Sequence, residues 1–466
     1  MSTAADEQPR ITTGSAELAD ELDRVLRHRA LYPHFQPIVD LATGEPVAFE
    51  ALARGPEGSP LHRPDRLFAT ALRVGRLAEL DQLCRRRALE AVLASDVRSP
   101  YAFFLNREPA TVTVDPMSAT GLDQVRAAGL RGVVELTERA LTHDPALLLA
   151  YADQVRAAGL GLALDDVGAE AESLALMPFL RPDVVKLDLH LVQGPLDVEG
   201  AMVVAAVQAY AQESGAVILA EGIETEEHER IARGLGATLG QGWRYGRPAA
   251  LPVGHARTGA ARTLPRPGTS SSPAAPAPQR PLRLLPSPLL REGPSPFEAV
   301  AARTPVARGD KETLLALREV LEVHATRMER HAVVLTTCME APDVSPECAR
   351  HYGALAASSA YTAAVGATMP DELVPGLRGA RLTPTDPVGR EWDLVVVGPH
   401  FAGALVSRLR DARSPDGGLE LDYALTYDRT LVLEAARSLM RRALPLDAPT
   451  DPVVADLLED GTAAAA

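Results

Sequence analysis

His34-Phe-Gln-Pro-Ile-Val39 and Val47-Ala-Phe-Glu-Ala-Leu52 are two short apolar runs joined by little more than Asp40-Leu-Ala-Thr-Gly-Glu45. A parallel crossover needs about a dozen residues or more. The two runs are therefore expected to pair antiparallel, with Gly44 supplying the hairpin turn. Six further runs follow, at Ala102–Asn106, Val133–Thr137, Gly161–Asp165, Val184–Asp188, Val217–Glu221 and Thr238–Trp243. Amphipathic stretches lie between most of them, among them Leu67–Val74, Leu83–Leu93 and Leu147–Ala158, with apolar residues at helical spacing. Eight strands alternating with helices predict an α/β fold, a modified TIM (β/α)8 barrel with an antiparallel first strand.

The rest of the chain sorts around that body. The 466 residues leave room for two or three domains, and 46% hydrophobic with 23% charged residues is the average of a soluble globular protein. From Leu264 to Pro296 prolines recur, and proline favours a semi-extended spacer over a packed element. The expected organisation is a disordered start (1–14), a barrel (15–250), a Pro-rich linker (251–296), a smaller α/β or α+β domain (297–446) and a disordered tail (447–466). A formal net charge of -15 gives no general reason to bind DNA or an anionic membrane. Three cysteines form no disulfide framework, the polar start does not read as a signal peptide, and no apolar run reaches the roughly 18 residues of a spanning helix. A cytoplasmic location is expected.

Chemistry in such barrels collects at the carboxyl ends of the strands. Glu50, Asn106, Glu135, Asp165, Asp166, Lys186 and Glu221 all fall on or at the ends of successive strand runs, with Glu224 just beyond. Any one of them alone reads as a surface or ion-paired side chain. Together they would crowd unpaired charge into one mouth, where desolvation is costly unless cations neutralise it. Hard carboxylate and amide oxygens suit Mg²⁺ or Mn²⁺, and the lack of a Cys/His cluster argues against zinc. Arg54 has the forked geometry to hold a pair of anionic oxygens, or alternatively to make a rim salt bridge.

The motifs Phe35-Gln-Pro-Ile-Val39, Phe49-Glu-Ala-Leu-Ala-Arg54, Phe104-Leu-Asn106, Val134-Glu-Leu-Thr-Glu138, Leu164-Asp-Asp166, Val185-Lys-Leu-Asp188, Ala220-Glu-Gly-Ile-Glu-Thr225 and Gln241-Gly242 resemble, in order, those of the EAL domains. The resemblance implies a phosphodiesterase that opens cyclic di-GMP to linear pGpG with two Mg²⁺ or Mn²⁺ ions, working as a homodimer through the barrel. It implies that Glu50, Asn106, Glu135 and Asp165 hold one ion, and that Asp165 bridges to a second served by Asp166. By the same resemblance Glu221 is a metal-linked carboxylate or general base, and Lys186 orients the attacking water. Gln36, Arg54, Glu138, Asp188, Glu224 and Gln241 would line the substrate pocket or support the ligands. Two cations about 3.5–4 Å apart can acidify a water and clamp an in-line displacement on an anionic diester.

The segment after the paired aspartates departs from the family's Asp-Asp-Phe-Gly-x-Gly followed by Ser-Ser. Here Val167, Glu170 and Glu172 stand where the family has an aromatic, a glycine and a serine. Two outcomes stay open: a phosphodiesterase with reduced activity, or a receptor that binds cyclic di-GMP without cutting it.

In the C-terminal body, Lys311–His324 reads as a helix. Ala332–Cys338, Trp392–Gly398 and Leu421–Thr426 read as strands, and Phe401–Arg410 and Thr430–Arg441 as helices following the last two. Trp392-Asp-Leu-Val-Val-Val-Gly-Pro-His-Phe401 and Ala424-Leu-Thr-Tyr-Asp-Arg429 resemble the DICT sensory domain, which implies a sensor for an unidentified ligand or protein. His400 reads as a hydrogen-bonded loop residue. Cys348 and His351 have no second pair to complete a zinc site.

Overall fold

The computed structural model describes residues 12–95, 97, 101–108, 127, 129–137, 145–168, 173–251, 293–338, 346–370, 372–413 and 419–443. Glu138, Glu170, Glu172 and nearly all of the Pro-rich stretch lie outside them.

Eight strands close into a barrel in sequence order: β1 His34–Asp40, β2 Pro46–Leu52, β3 Ala102–Arg107, β4 Arg131–Thr137, β5 Gly161–Val167, β6 Val184–Leu187, β7 Val217–Ala220 and β8 Leu239–Gln241. As the short connection required, β1 runs antiparallel to β2, and it is antiparallel to β8 as well. Gly44 turns the hairpin at φ 71°, and its amide donates to the Asp40 carbonyl at 2.7 Å. The Asp40 side chain accepts from the amides of Ala42 and Thr43, so the hairpin is fixed by its own polar groups.

The helices described around these strands are α1 Thr12–His28, α2 Pro64–Arg73, α3 Leu77–Ala94, α4 Pro145–Ala157, α5 Ser173–Leu180, α6 Leu189–Gln193, α7 Val198–Ser214 and α8 Glu226–Gly234. Strand alternation divides the labour. Phe35, Phe49 and Phe103 pack with Ala88 and Val92 of α3, the Phe35 and Phe103 rings meeting edge to face at 6.4 Å. Their neighbours Gln36 and Glu50 face each other across the β1–β2 pair on the opposite side.

Three of the expected strand ends shift inward, β8 stopping at Gln241 rather than Trp243. β7 stops at Ala220, so Glu221 begins the following loop, and β6 stops at Leu187 because Asp188 caps α6 by accepting from the His190 amide at 2.8 Å.

The C-terminal region forms a mixed eight-stranded sheet in the order β12-β13-β11-β10-β14-β15-β16-β9. Its strands are β9 Ala307–Asp310, β10 Val333–Thr337, β11 Tyr361–Gly366, β12 Glu372–Val374, β13 Leu377–Arg381, β14 Leu394–Val397, β15 Ala402–Arg413 and β16 Leu419–Thr426. The helices α9 Pro296–Ala301, α10 Lys311–Met328, α11 Pro346–Ser358 and α12 Arg429–Arg442 accompany it. The helix expected over Phe401–Arg410 is instead part of β15, which is antiparallel to β14. Gly398-Pro-His-Phe401 makes a tight turn, the Gly398 amide donating to the Phe401 carbonyl at 2.8 Å, and so short a return enforces a hairpin.

The chain divides into two compact units. One is Met1–Leu136 with Leu219–Arg283, and the other is Thr137–Ile218 with Leu284–Ala466. Among the described residues no helix is long and apolar enough to cross a membrane.

Candidate metal centre

Glu50 is 5% exposed, yet both its oxygens are engaged. The Asn106 amide donates to Oε1 at 3.0 Å and the Gln241 amide to Oε2 at 2.6 Å. Gln241 also donates to Gln36 Oε1 at 3.2 Å, and Gln36 in turn donates to the Gly246 carbonyl. Neutral amides thus orient this carboxylate without cancelling its charge.

Register carries the same face onward: Glu50 lies beside Phe104, and Asn106 beside Glu135, in the parallel β2–β3–β4 wall. Glu135 is 1% exposed, whereas Asn106 is exposed at the mouth.

On β5, the Lys186 ammonium, itself buried, meets Asp165 Oδ1 at 2.7 Å. Asp165 and Asp166 are consecutive, so a regular strand would point them to opposite faces. The register between β5 and β6 slips here: Leu164 pairs with Val185 but Val167 with Leu187, so one extra residue bulges out of β5. Asp166 takes up the slack in a left-handed conformation, φ 57°, one that aspartate tolerates better than most side chains. The bulge re-aims the pair.

Beyond β7, Gly222 holds φ 66° and so turns the chain immediately after Glu221. A Cβ on Gly242 would come within 2.1 Å of the Ile223 carbonyl oxygen, so only glycine lets this turn pack against the end of β8. The Ile223 amide donates to the Gln241 carbonyl at 3.0 Å, which ties the Glu221 turn to the Gln241 strand.

Carboxylate oxygens of Glu50, Glu135 and Asp165 lie within 4.8 Å of one another, and so do those of Asp165, Asp166 and Glu221. Asp165 belongs to both groups. The first group is buried, while in the second Asp166 is exposed and Glu221 half-buried. Hard oxygen donors gathered this tightly fit divalent cations of the Mg²⁺ or Mn²⁺ type, the ions that take such ligands.

Arg54 stands at the end of this wall. Among the described residues it has no carboxylate in salt-bridge range and donates only to the Ala53 carbonyl at 2.8 Å. Burial pulls its guanidinium below the ordinary range while the Glu50 charge pulls the other way. His34, half-buried nearby, is lowered by burial and then by the charges of Arg54 and His62. Asp188 is buried and bonded to the exposed His190 ring at 2.5 Å, a partnership sequence reading missed although the two residues are only two apart.

Glu224 is exposed, sits at the entrance to α8 and joins neither carboxylate group. Glu138 lies outside the described residues. The bulge was also invisible beforehand; the only hint was an Asp-Asp step at a strand end.

Residues 19–248 match the EAL domain family. The chain is 30% identical over 253 residues to the cyclic di-GMP phosphodiesterase NbdA of Pseudomonas aeruginosa, covering 51% of this chain and 31% of that protein. It is 31% identical over 237 residues to a protein of Escherichia coli named "Probable cyclic di-GMP phosphodiesterase PdeB", covering 50% and 45%. The solved PaMucR phosphodiesterase in complex with c-di-GMP is 26% identical, with 51% of this chain and 98% of that one covered, at a TM-score of 0.43. The chain spans less than half the length of the two curated relatives. Over residues 19–248 this chain is thereby matched to the EAL domain, with cyclic di-GMP phosphodiesterases among its curated homologues.

Proposed function

We propose that the barrel hydrolyses cyclic di-GMP to linear pGpG with two Mg²⁺ or Mn²⁺ ions. The observation that carries this reading is the pair of carboxylate groups sharing Asp165. In it Glu50, Asn106, Glu135 and Asp165 hold one ion, and Asp165 with Asp166 the other. When bound, the ions neutralise the diester and make a water nucleophilic. Gln36 and Gln241 keep Glu50 aimed. Lys186 holds Asp165 and donates a positive charge where negative charge builds up, and Glu221 accepts the proton of the attacking water. Arg54 forks onto a phosphate oxygen pair, Asp188 and Glu224 support the substrate pocket, and Glu138 has the supporting role that the family resemblance implies.

The protein works in the cytoplasm as a homodimer through the barrel. The C-terminal sheet is a DICT-like sensor whose ligand regulates turnover.

The test is incubation of the full chain and cyclic di-GMP with Mn²⁺, with product read by chromatography. Formation of pGpG that stops on chelation is expected, and Glu50→Ala should reduce it at least about 100-fold, since removing a ligand costs no less than removing a ligand's support. No product with either ion would overturn the reading. The second reading, a receptor, draws on the sequence after Asp166, where Glu170 and Glu172 stand in place of the family's glycine and serine. Tight binding by calorimetry without turnover would select it.

A further inference from the structure

The outer wall behind β5 carries an unusual seat. On α4, the half-buried Asp153 receives two guanidinium groups from α12: Arg437 at 3.4 Å and Arg441 at 2.8 Å. Arg437 is 7% exposed, and burial pulls it down to about 10. Burial also raises Asp153 against the pull of both arginines. One buried and one half-buried cation on a single acid make an anchor that fails if either sign is changed. A second tie joins Arg429, at the start of α12, to Glu213 at the end of α7 at 3.4 Å. Leu174 and Met177 of α5 and Tyr210 of α7 line a small cavity together with Pro399 and Arg429.

From this seat a chain of polar contacts runs inward to β5. Arg156, one helical turn after Asp153, is 5% exposed and donates to the carbonyls of Leu180 and Arg181 at the end of α5. It also feels the charge of Asp183, which is 1% exposed. Asp183 accepts from the Leu162 amide at 2.8 Å, and its own amide donates to the Leu162 carbonyl at 2.7 Å. Leu162 is on β5, three residues before Asp165, whose partner Lys186 is three residues after Asp183. Helix α12 packs on both α4 and α5. The β5–β6 segment and the C-terminal domain accordingly fall in one compact unit.

We infer that Asp153 is the receiving site for the C-terminal domain, and that docking there holds β5 and β6 so that Asp165 stays paired with Lys186 in its ion-binding position. Asp153, Arg156 and Asp183 are then positioning residues. The inference rests on the metal-dependent reading of the barrel, and it names the route by which the C-terminal domain controls that site.

The experiment compares the full chain with Asp153→Arg, with the paired reversal Arg437→Asp and Arg441→Asp, and with the variant carrying all three changes. Two readouts are used: hydrogen exchange across Gly161–Val167, and the Mn²⁺ dissociation constant. Expected are faster exchange and about tenfold weaker Mn²⁺ binding in Asp153→Arg and in the paired reversal. Both should return in the triple variant, where the charges are complementary again. Unchanged exchange and affinity in Asp153→Arg would overturn the inference, and so would a triple variant as impaired as the others. Neither readout depends on turnover. A wild-type chain that binds Mn²⁺ but makes no pGpG would therefore count against the proposed reaction and leave the docking result standing.

Discussion

Two places in this molecule bring carboxyl groups together away from water, and they resolve the repulsion in opposite ways. At the barrel mouth, Glu50, Glu135 and Asp165 approach within 4.8 Å while amides and one lysine keep them oriented. In the C-terminal sheet, Glu391 and Asp393 are both 0% exposed. Glu391 accepts from Ser295, from the Phe297 amide at 3.1 Å and from Arg408 at 2.9 Å, which ties α9 to the sheet. Asp393 accepts from the Ser407 amide at 2.9 Å, while its other oxygen has no hydrogen-bond donor. Burial, and then the Glu391 charge, push the Asp393 carboxyl well above the usual carboxylate range, so it holds its proton to a higher pH than a free carboxyl does. In the proposed reaction cations would balance the charge at the mouth, whereas burial and a neighbouring charge in the sheet favour the neutral form of Asp393.

The sharpest way to break the contrast is to remove the lysine paired with Asp165. Lys186→Met should lower kcat about 1000-fold, because Asp165 loses its buried partner and the reacting phosphate loses a positive charge worth several kcal/mol. Steady-state kinetics with Mn²⁺ checks this; a loss under tenfold would mean that Lys186 is only packing. On the other wall, Gln241→Ala removes an orienting amide and leaves every proposed ligand in place, so a smaller loss of about 10- to 100-fold is expected.

The sheet pair makes a prediction in pH. Unfolded, Asp393 titrates near 4. Folded, it holds its proton to a higher pH. Its contribution is therefore complete below about 4 and declines as pH rises towards the elevated folded value, with a slope of up to about 1.4 kcal/mol per pH unit. Asp393→Asn keeps the shape without the proton and should flatten that slope in urea unfolding followed by Trp392 fluorescence. An identical slope in the variant would place the titration elsewhere.

Much of the barrel could be read ahead of its coordinates because its signals are local. Eight apolar runs, a six-residue connection and the glycine at 44 are enough to set strand order and the reversed first strand. That Glu50, Glu135, Asp165, Asp166 and Glu221 share one rim was legible from their places along successive strand runs, although the bulge that brings Asp165 and Asp166 together was not. What escaped depends on register or distance. Phe401–Arg410 has apolar residues that satisfy helical spacing as well as alternation, and only the pairing of Leu405 with Leu394 decides for a strand. Asp153 carries no motif, and its partners lie some 280 positions away in the chain. Glu391 and Asp393 sit two apart on a stretch that reads as an ordinary strand entry, with nothing to announce that both are sealed from solvent.

The bulge at Asp166 sets stability against chemistry at a single position. A left-handed aspartate costs about 1 kcal/mol relative to glycine, which adopts that backbone freely. Replacing it by glycine would relax the strand and give a sturdier molecule with one carboxylate fewer at the proposed ion site. A lineage selected for endurance alone would drift towards that glycine, and persistence of the aspartate would be the mark of selection for the proposed chemistry.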